Sequence, residues 1–218
     1  MPDLQVSLKF LIDLSLNNDK VWFNANKDYY HKAYNEFAEF IDLLIPEIKK
    51  IDNNVNVTSS KQCLFRIYRD VRFSHDKNPY KTNFGAYIVK DGKKSPYAGY
   101  YLHMEPDNSF IGGGIYMPQN EILKNIRVYI LKNAEKFRGI IYDPVFIDVF
   151  GELMDHKLKS APRGFAKDHP DLDLILHKSY AVGHMLSDNS WHDPDLIDRI
   201  IKVFKIQYKL NSFLNNAL

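Results

Sequence analysis

Apolar residues recur at helical spacing over 26–51, where Tyr30, Tyr34, Phe37, Ile41, Ile45 and Ile48 share one face and predict a long amphipathic helix. Asn26 is placed to cap it and Pro46 to bend it. A shorter helix is predicted over 4–16, with Val21, Trp22 and Phe23 packing in the connection between the two. After a polar turn at 52–60 the period changes to two. Phe65, Ile67 and Val71 alternate with Arg66, Tyr68, Asp70 and Arg72, with the charged Arg69 as the exception, and the same alternation returns over 83–89, 98–105 and 109–117. Asp91-Gly92 and Pro106-Asp107-Asn108 are turn sequences, so these runs predict four antiparallel strands in a meander. From 119 onward helical spacing resumes through Leu123, Ile126, Ile130, Ala134 and Phe137. Asp143-Pro144 and Asp193-Pro194 each set a capping carboxylate before a proline suited to a first helical turn, which predicts a helix at each. Between them lie a charged loop at 157–169, a short helix after Pro170 and a strand over 180–185. No repeat, low-complexity tract or linker interrupts the pattern. The expected fold is therefore a single α+β domain over 1–218, with the meander packed on helices from both ends of the chain.

Composition narrows the setting. A chain of 218 residues buries enough surface to fold without a metal or disulfide. The single cysteine, Cys63, excludes an intramolecular disulfide and every cysteine-rich zinc pattern, and fits a reducing compartment. The N-terminal stretch MPDLQVSLKFLIDLSLNND has no basic lead and no small-residue cleavage site, so it does not read as a signal peptide. No apolar run approaches the roughly 18–20 residues that span a bilayer. These features point to a cytoplasmic protein that makes no use of a membrane. The net charge is only +2, yet residues 61–94 carry nine Lys/Arg against three Asp/Glu. Positive charge concentrated in one stretch points to an anionic partner.

The alternation also sorts side chains by face, because every second residue of a strand points the same way. Phe65, Ile67, Phe84, Ala86, Ile88, Tyr100, Leu102, Met104, Ile111 and Ile115 are expected to face the helices. The opposite face then carries Arg66, Tyr68, Asp70, Asn83, Tyr87, Tyr101, His103, Glu105 and Tyr116, together with Gly85, Gly112 and Gly114, whose missing side chains would open a hollow there. A solvated polar face with arginine–aspartate pairs would give the same pattern without any ligand. On the pocket reading, Arg66, Arg69 and Arg72 supply bidentate anion contacts, with Arg69 aimed to the other face unless a bulge turns it. The long loop 73–83 adds Lys77, Tyr80 and Lys81, and a second basic loop adds Arg163. His103 is the proton-transfer candidate, oriented by Glu105 or Asp70.

Several chemistries fall away. His103-Met104-Glu105 matches the His-x-Glu of zinc deaminases, whose metal needs a Pro-Cys-x-x-Cys that is absent. A site of His103, Glu105 and Asp70 could still hold a metal, but three such residues on a sheet do not specify one, and no metal is assigned. Gly112-Gly113-Gly114 lacks the Gly-Lys-Ser/Thr ending of a phosphate loop, and no Gly-x-Ser-x-Gly elbow occurs. Cys63, at the start of an apolar run, reads as a buried inert thiol.

Three long blocks, RIYRDVRFSHDKNPYKTNFGA, YYLHMEPDNSFIGGGIYMP and LKSAPRGFAKDHPDLDLI, resemble in content and order the signature of the family designated domain of unknown function 2461. The resemblance covers nearly the whole chain. It implies one α+β domain, leaves the activity open, and singles out Arg66, Arg69, Asp70, Arg72, Phe73, Lys77, Pro79, Tyr80, Lys81, His103, Glu105, Gly112, Gly113, Gly114, Arg163, Gly164 and Phe165. The leading expectation is a protein that binds a small anionic metabolite, a phosphorylated one included, on the polar sheet face, with catalysis left open. His103, Glu105 and Asp70 are its catalytic candidates. Arg66, Tyr68, Arg69, Arg72, Lys77, Tyr80, Lys81, Asn83, Gly112, Gly114 and Arg163 are its ligand-binding candidates. The competing class is a non-catalytic module for nucleic acid or protein, which the near-neutral total charge disfavours in its nucleic-acid form. Cofactor and oligomeric state stay unassigned.

Overall fold

A four-stranded antiparallel sheet in the order β1-β2-β3-β4 forms the centre of the molecule: β1 Phe84–Ile88, β2 Gly99–Met104, β3 Ser109–Ile115 and β4 Tyr180–Leu186. The computed structural model describes residues 2–72, 74–154 and 157–218. Phe73, one of the family positions, lies outside them. The three meander strands keep their predicted positions to within two residues, and the strand expected at 180–185 joins as the fourth.

Helices cover one face. Helix α1 (Leu4–Leu16) starts at Asp3, whose carboxylate accepts from the Gln5 amide at 3.2 Å. The connection expected to hold Val21, Trp22 and Phe23 is itself a short helix, α2 (Lys20–Ala25), because the Asp19 carboxylate accepts from both the Val21 and Trp22 amides. Helix α3 (Lys27–Ile51) runs through Pro46, and Asn26 does not cap it by side chain; its amide donates back to the Trp22 carbonyl instead. After β3 the helical block divides at Asn133 into α4 (Asn120–Lys132) and α5 (Ala134–Ile141). Helix α6 (Pro144–Phe150) begins at its proline under an Asp143 cap, as the sequence predicts. A one-turn helix α7 (Leu172–Ile175) precedes β4, and α8 (Leu196–Asn215) closes the chain. The Asp193-Pro194 signal lies just before α8: Asp193 accepts from the Asp195 amide and pairs with Arg199 at 2.6 Å.

Two apolar clusters fill the interior. The first joins α1, α3 and the first half of α8 to β1 and β2 through residues such as Phe37, Phe84, Leu102 and Phe204. The second gathers Ile126, Phe137, Phe146, Tyr180 and Phe213 around the other end of α8. Burying this many large side chains is the main force holding the helices on the sheet.

The strand expected at 65–72 does not form. Only isolated bridges join Leu64 to Ala86 and Tyr68 to Tyr80. Leu64 and Ile67 are both buried, three residues apart rather than two, so the chain turns between them and strict alternation fails. Pro79, with no amide proton, also cannot extend a regular ladder opposite this segment. What remains is an irregular hairpin in which the Arg69 and Lys81 amides donate to the Pro79 and Ile67 carbonyls.

Candidate functional site

The sheet face turned away from the helices carries Tyr87 on β1, Tyr101 and His103 on β2, and Phe110 on β3, as the alternation requires. They line a cavity of about 930 Å³. Residues 93–97 and 116–119, which flank the strands, also line it, and β4 borders it at 181–182. Tyr87 ties 93–97 to β3: its hydroxyl lies 2.8 Å from the Tyr97 carbonyl and 2.7 Å from the Gly114 carbonyl, the two acceptors available to its single proton. Phe65 also belongs to this lining, with its ring 6.2 Å from that of Tyr101. The expectation that Phe65 faces the helices is thus reversed, for the same reason that the 65–72 strand is absent.

The glycines act differently from expectation. At Gly85 the place of a side chain is taken by Tyr101, whose hydroxyl would stand 2.7 Å from a Cβ there. At Gly112 and Gly114 a Cβ would strike the carbonyl oxygens of Val182 and Tyr180. Close approach of β4 fills that space, so Gly112 permits strand packing and does not open a hollow. Gly114, at φ 105°, does border the cavity.

His103 sits at the centre of the polar groups. Its Nε2 lies 3.1 Å from Glu105 Oε2, and its Nδ1 lies 3.0 Å from the Tyr101 hydroxyl and 3.4 Å from the Asn83 amide nitrogen. A carboxylate can only accept, so Nε2 carries the proton and Nδ1 offers its lone pair to two donors. Glu105 is held firmly: Thr82 donates to it at 2.7 Å and Asn108 at 2.9 Å. Burial raises the Glu105 carboxyl, but the bonds from Thr82, Asn108 and His103 outweigh that and keep it below its usual range. Burial pushes the His103 imidazole below its ordinary value, against the opposing pull of Glu105 and with the added repulsion of Lys81. Burial and the charge of Glu105 push Tyr101 up to about 12. The backbone of Glu105 is fixed in turn by Ser109, whose hydroxyl donates to the Glu105 carbonyl and accepts from its amide and from Trp191 Nε1.

The other sequence candidates are dispersed. Asp70 is not beside His103; it holds Arg72 through two bonds of 2.9 and 2.6 Å on an exposed turn. Arg66 is exposed next to Lys81 and Asp70 and does not line the cavity beside His103. Arg69 pairs with Asp76 and reaches the Asn78 carbonyl, and Lys77 donates to the Val71 carbonyl. Tyr68 packs against Phe23 and Tyr80 beside α2. Tyr80 is 5% exposed and stacked on Phe23 at 3.9 Å, a core residue rather than a ligand contact. Arg163 is exposed, and no described residue of 157–169 borders the cavity. Lys81 alone of the predicted cations lines it, with its ammonium over the Phe65 ring.

The sequence reading missed Lys93, Lys94 and Tyr97, which enter from a turn, and it passed over Phe110, whose place opposite the buried Ile111 follows from alternation alone. Among the described residues no three His, Cys, Asp or Glu side chains are grouped to hold a metal ion, and no helix is long and apolar enough to cross a membrane.

A family model of conserved hypothetical proteins matches residues 6–213. No curated protein and no solved structure matches the chain.

Proposed function

This chain belongs to the conserved hypothetical protein family DUF2461, and we propose that it binds a small organic anion with a planar or apolar body in the cavity on the outer sheet face. The observation that carries this reading is the charge of the lining. Lys81, Lys93, Lys94 and His103 border the cavity, while no Asp or Glu does so among the described residues. Lys81 has no carboxylate partner among them either, and burial, followed by repulsion from Arg66, lowers its pKa. An anion beside Lys81 would relieve that cost. The aromatic rings of Phe65, Tyr97, Tyr101 and Phe110 suit a flat body, and the volume is that of a metabolite site.

The anion contacts are therefore lysines, not the arginines of 66–72, of which Arg69 and Arg72 already hold Asp76 and Asp70. The same pairing weakens the nucleic-acid alternative, because a polyanion groove needs uncommitted cations.

Thermal denaturation with benzoate and phenyl phosphate, and with neutral benzyl alcohol as control, tests the reading. Binding to the folded state alone stabilises it by about 2.7 kcal/mol at a hundredfold excess over Kd. At least one anion is expected to raise the midpoint of the wild type, with little effect on Lys81→Met. No shift with either anion, or an equal shift in the variant, overturns it.

A further inference from the structure

Tyr101 and His103 occupy alternate positions of β2, Glu105 follows directly after the strand, and the three are joined in sequence by two hydrogen bonds, hydroxyl to imidazole and imidazole to carboxylate. This is the connectivity of a hydroxyl nucleophile, its base and the group that orients the base. We propose that Tyr101 is a nucleophile activated by His103, and that the protein cleaves activated esters of small acids in the outer-face cavity. The proposal rests on the anion reading, since the acid released is the anion the cavity would hold.

The geometry settles the direction of proton flow. His103 Nδ1 is the accepting nitrogen, because two donors, the Tyr101 hydroxyl and the Asn83 amide, are aimed at it and the opposite nitrogen faces Glu105. The imidazole is 15% exposed and lies against the Phe110 ring at 4.8 Å, so it cannot easily turn out of line. Glu105 is fixed by Thr82 and Asn108 and meets the imidazolium with an ionised carboxylate. The phenol ring lies over Gly85, where a side chain would displace its hydroxyl. Sequence placement, cross-strand glycine and hydrogen bonds thus hold one tyrosine of fourteen against a base while its ring borders the cavity.

In the first step the Tyr101 oxygen attacks the ester carbonyl carbon and its proton passes to His103 Nδ1. The bond from carbon to the leaving oxygen breaks, that oxygen keeps the electron pair, and it takes the proton from the imidazolium. An acyl ester of Tyr101 and a free alcohol or phenol result. Water then attacks the acyl carbon and gives a proton to His103, and the tyrosine oxygen leaves and recovers that proton. Ester and water become acid and alcohol, with no oxidant or metal consumed. The elevated pKa of the phenol is compatible with this course, because a transfer concerted with attack never forms a free phenolate.

Toluenesulfonyl fluoride is the probe. Attack by Tyr101 forms an S–O bond, expels fluoride and leaves a stable sulfonate that peptide mass spectrometry locates. Tyr101 is expected to be labelled on the order of tenfold or more faster than the exposed Tyr142, and His103→Gln to lose that advantage. Glu105→Gln is expected to slow labelling and to displace its pH profile. In the wild type the rate should fall as pH drops through the folded-state pKa of His103, which lies below the ordinary 6.5, with Glu105 and Lys81 the charged groups that face it. Should His103→Gln not fold, the wild-type profile decides. Labelling of Tyr101 no faster than Tyr142, or without dependence on His103 protonation, overturns the nucleophile. If benzoate or phenyl phosphate stabilises the protein but Tyr101 stays inert, the anion site stands without the esterase; rapid labelling without any anion effect keeps the nucleophile and removes the anion site.

Discussion

Burial favours the neutral form of His103, and that should be visible in stability. Its folded-state pKa lies below the ordinary 6.5, with burial the largest cause. Between those two values the unfolded chain binds the proton more readily than the folded one, so acid favours unfolding. The stability associated with the neutral imidazole is therefore present above about pH 6.5 and is lost as pH falls through the folded pKa. Glu105, also depressed, adds a second loss below its usual 4.5. Urea titrations at about pH 7.5 and about pH 5.5 separate the first effect from the second. The wild type should lose more stability between them than His103→Gln does, and equal losses would mean that folding does not lower the pKa of His103.

At the level of elements, β3 owes its place to its glycines. Gly112 stands opposite Gly183, and a Cβ on it would meet backbone atoms of Val182 and Gly183, which cannot rotate aside as a side chain tip can. Gly112→Ala should cost about 1–3 kcal/mol by overpacking. Gly139, exposed in α5 with nothing within 4 Å of its Cβ, is the matched control. There alanine should be neutral or stabilise by about 0.5–1 kcal/mol, since it removes only unfolded-state freedom. Chemical denaturation of both variants checks the pair; a harmless Gly112→Ala would show that β3 and β4 can move apart. The 65–72 segment teaches the opposite lesson about elements. Its alternation was real in sequence, but Leu64 and Ile67 both reach the first cluster, and the core they serve overrode the pleat.

Across the whole molecule, α8 is the helix that serves both clusters most fully, giving Leu196, Ile200 and Phe204 to one and Leu210, Phe213 and Leu214 to the other, while β3 and β4 also reach both. Gln207 and Asn211 between them donate to the Gly99 carbonyl at 2.9 and 3.1 Å, which fastens the helix to the start of β2. A helix so engaged cannot leave one cluster without disturbing the second. Unfolding should accordingly be cooperative. Trp22 and Trp191 both report on the first cluster, whereas far-ultraviolet dichroism reports on all helices. The two denaturation curves are expected to coincide, and a dichroism change persisting beyond the tryptophan transition would show that α4, α5 and α6 hold together independently.

Local chemistry set much of this in advance. Periodicity located α1, α3, the three meander strands and β4. Asp143-Pro144 located α6. Strict alternation put Tyr101, His103 and Glu105 on one face, because neighbours two apart on a strand need no distant information to be aligned. Tertiary packing decided the rest. Whether Arg69 and Arg72 meet a ligand or Asp76 and Asp70, whether Tyr80 lines a cavity or stacks on Phe23, and whether 93–97 stands over the sheet all depend on contacts between segments remote or irregular in sequence. No period encodes such contacts; they are fixed only when the chain has closed around its core.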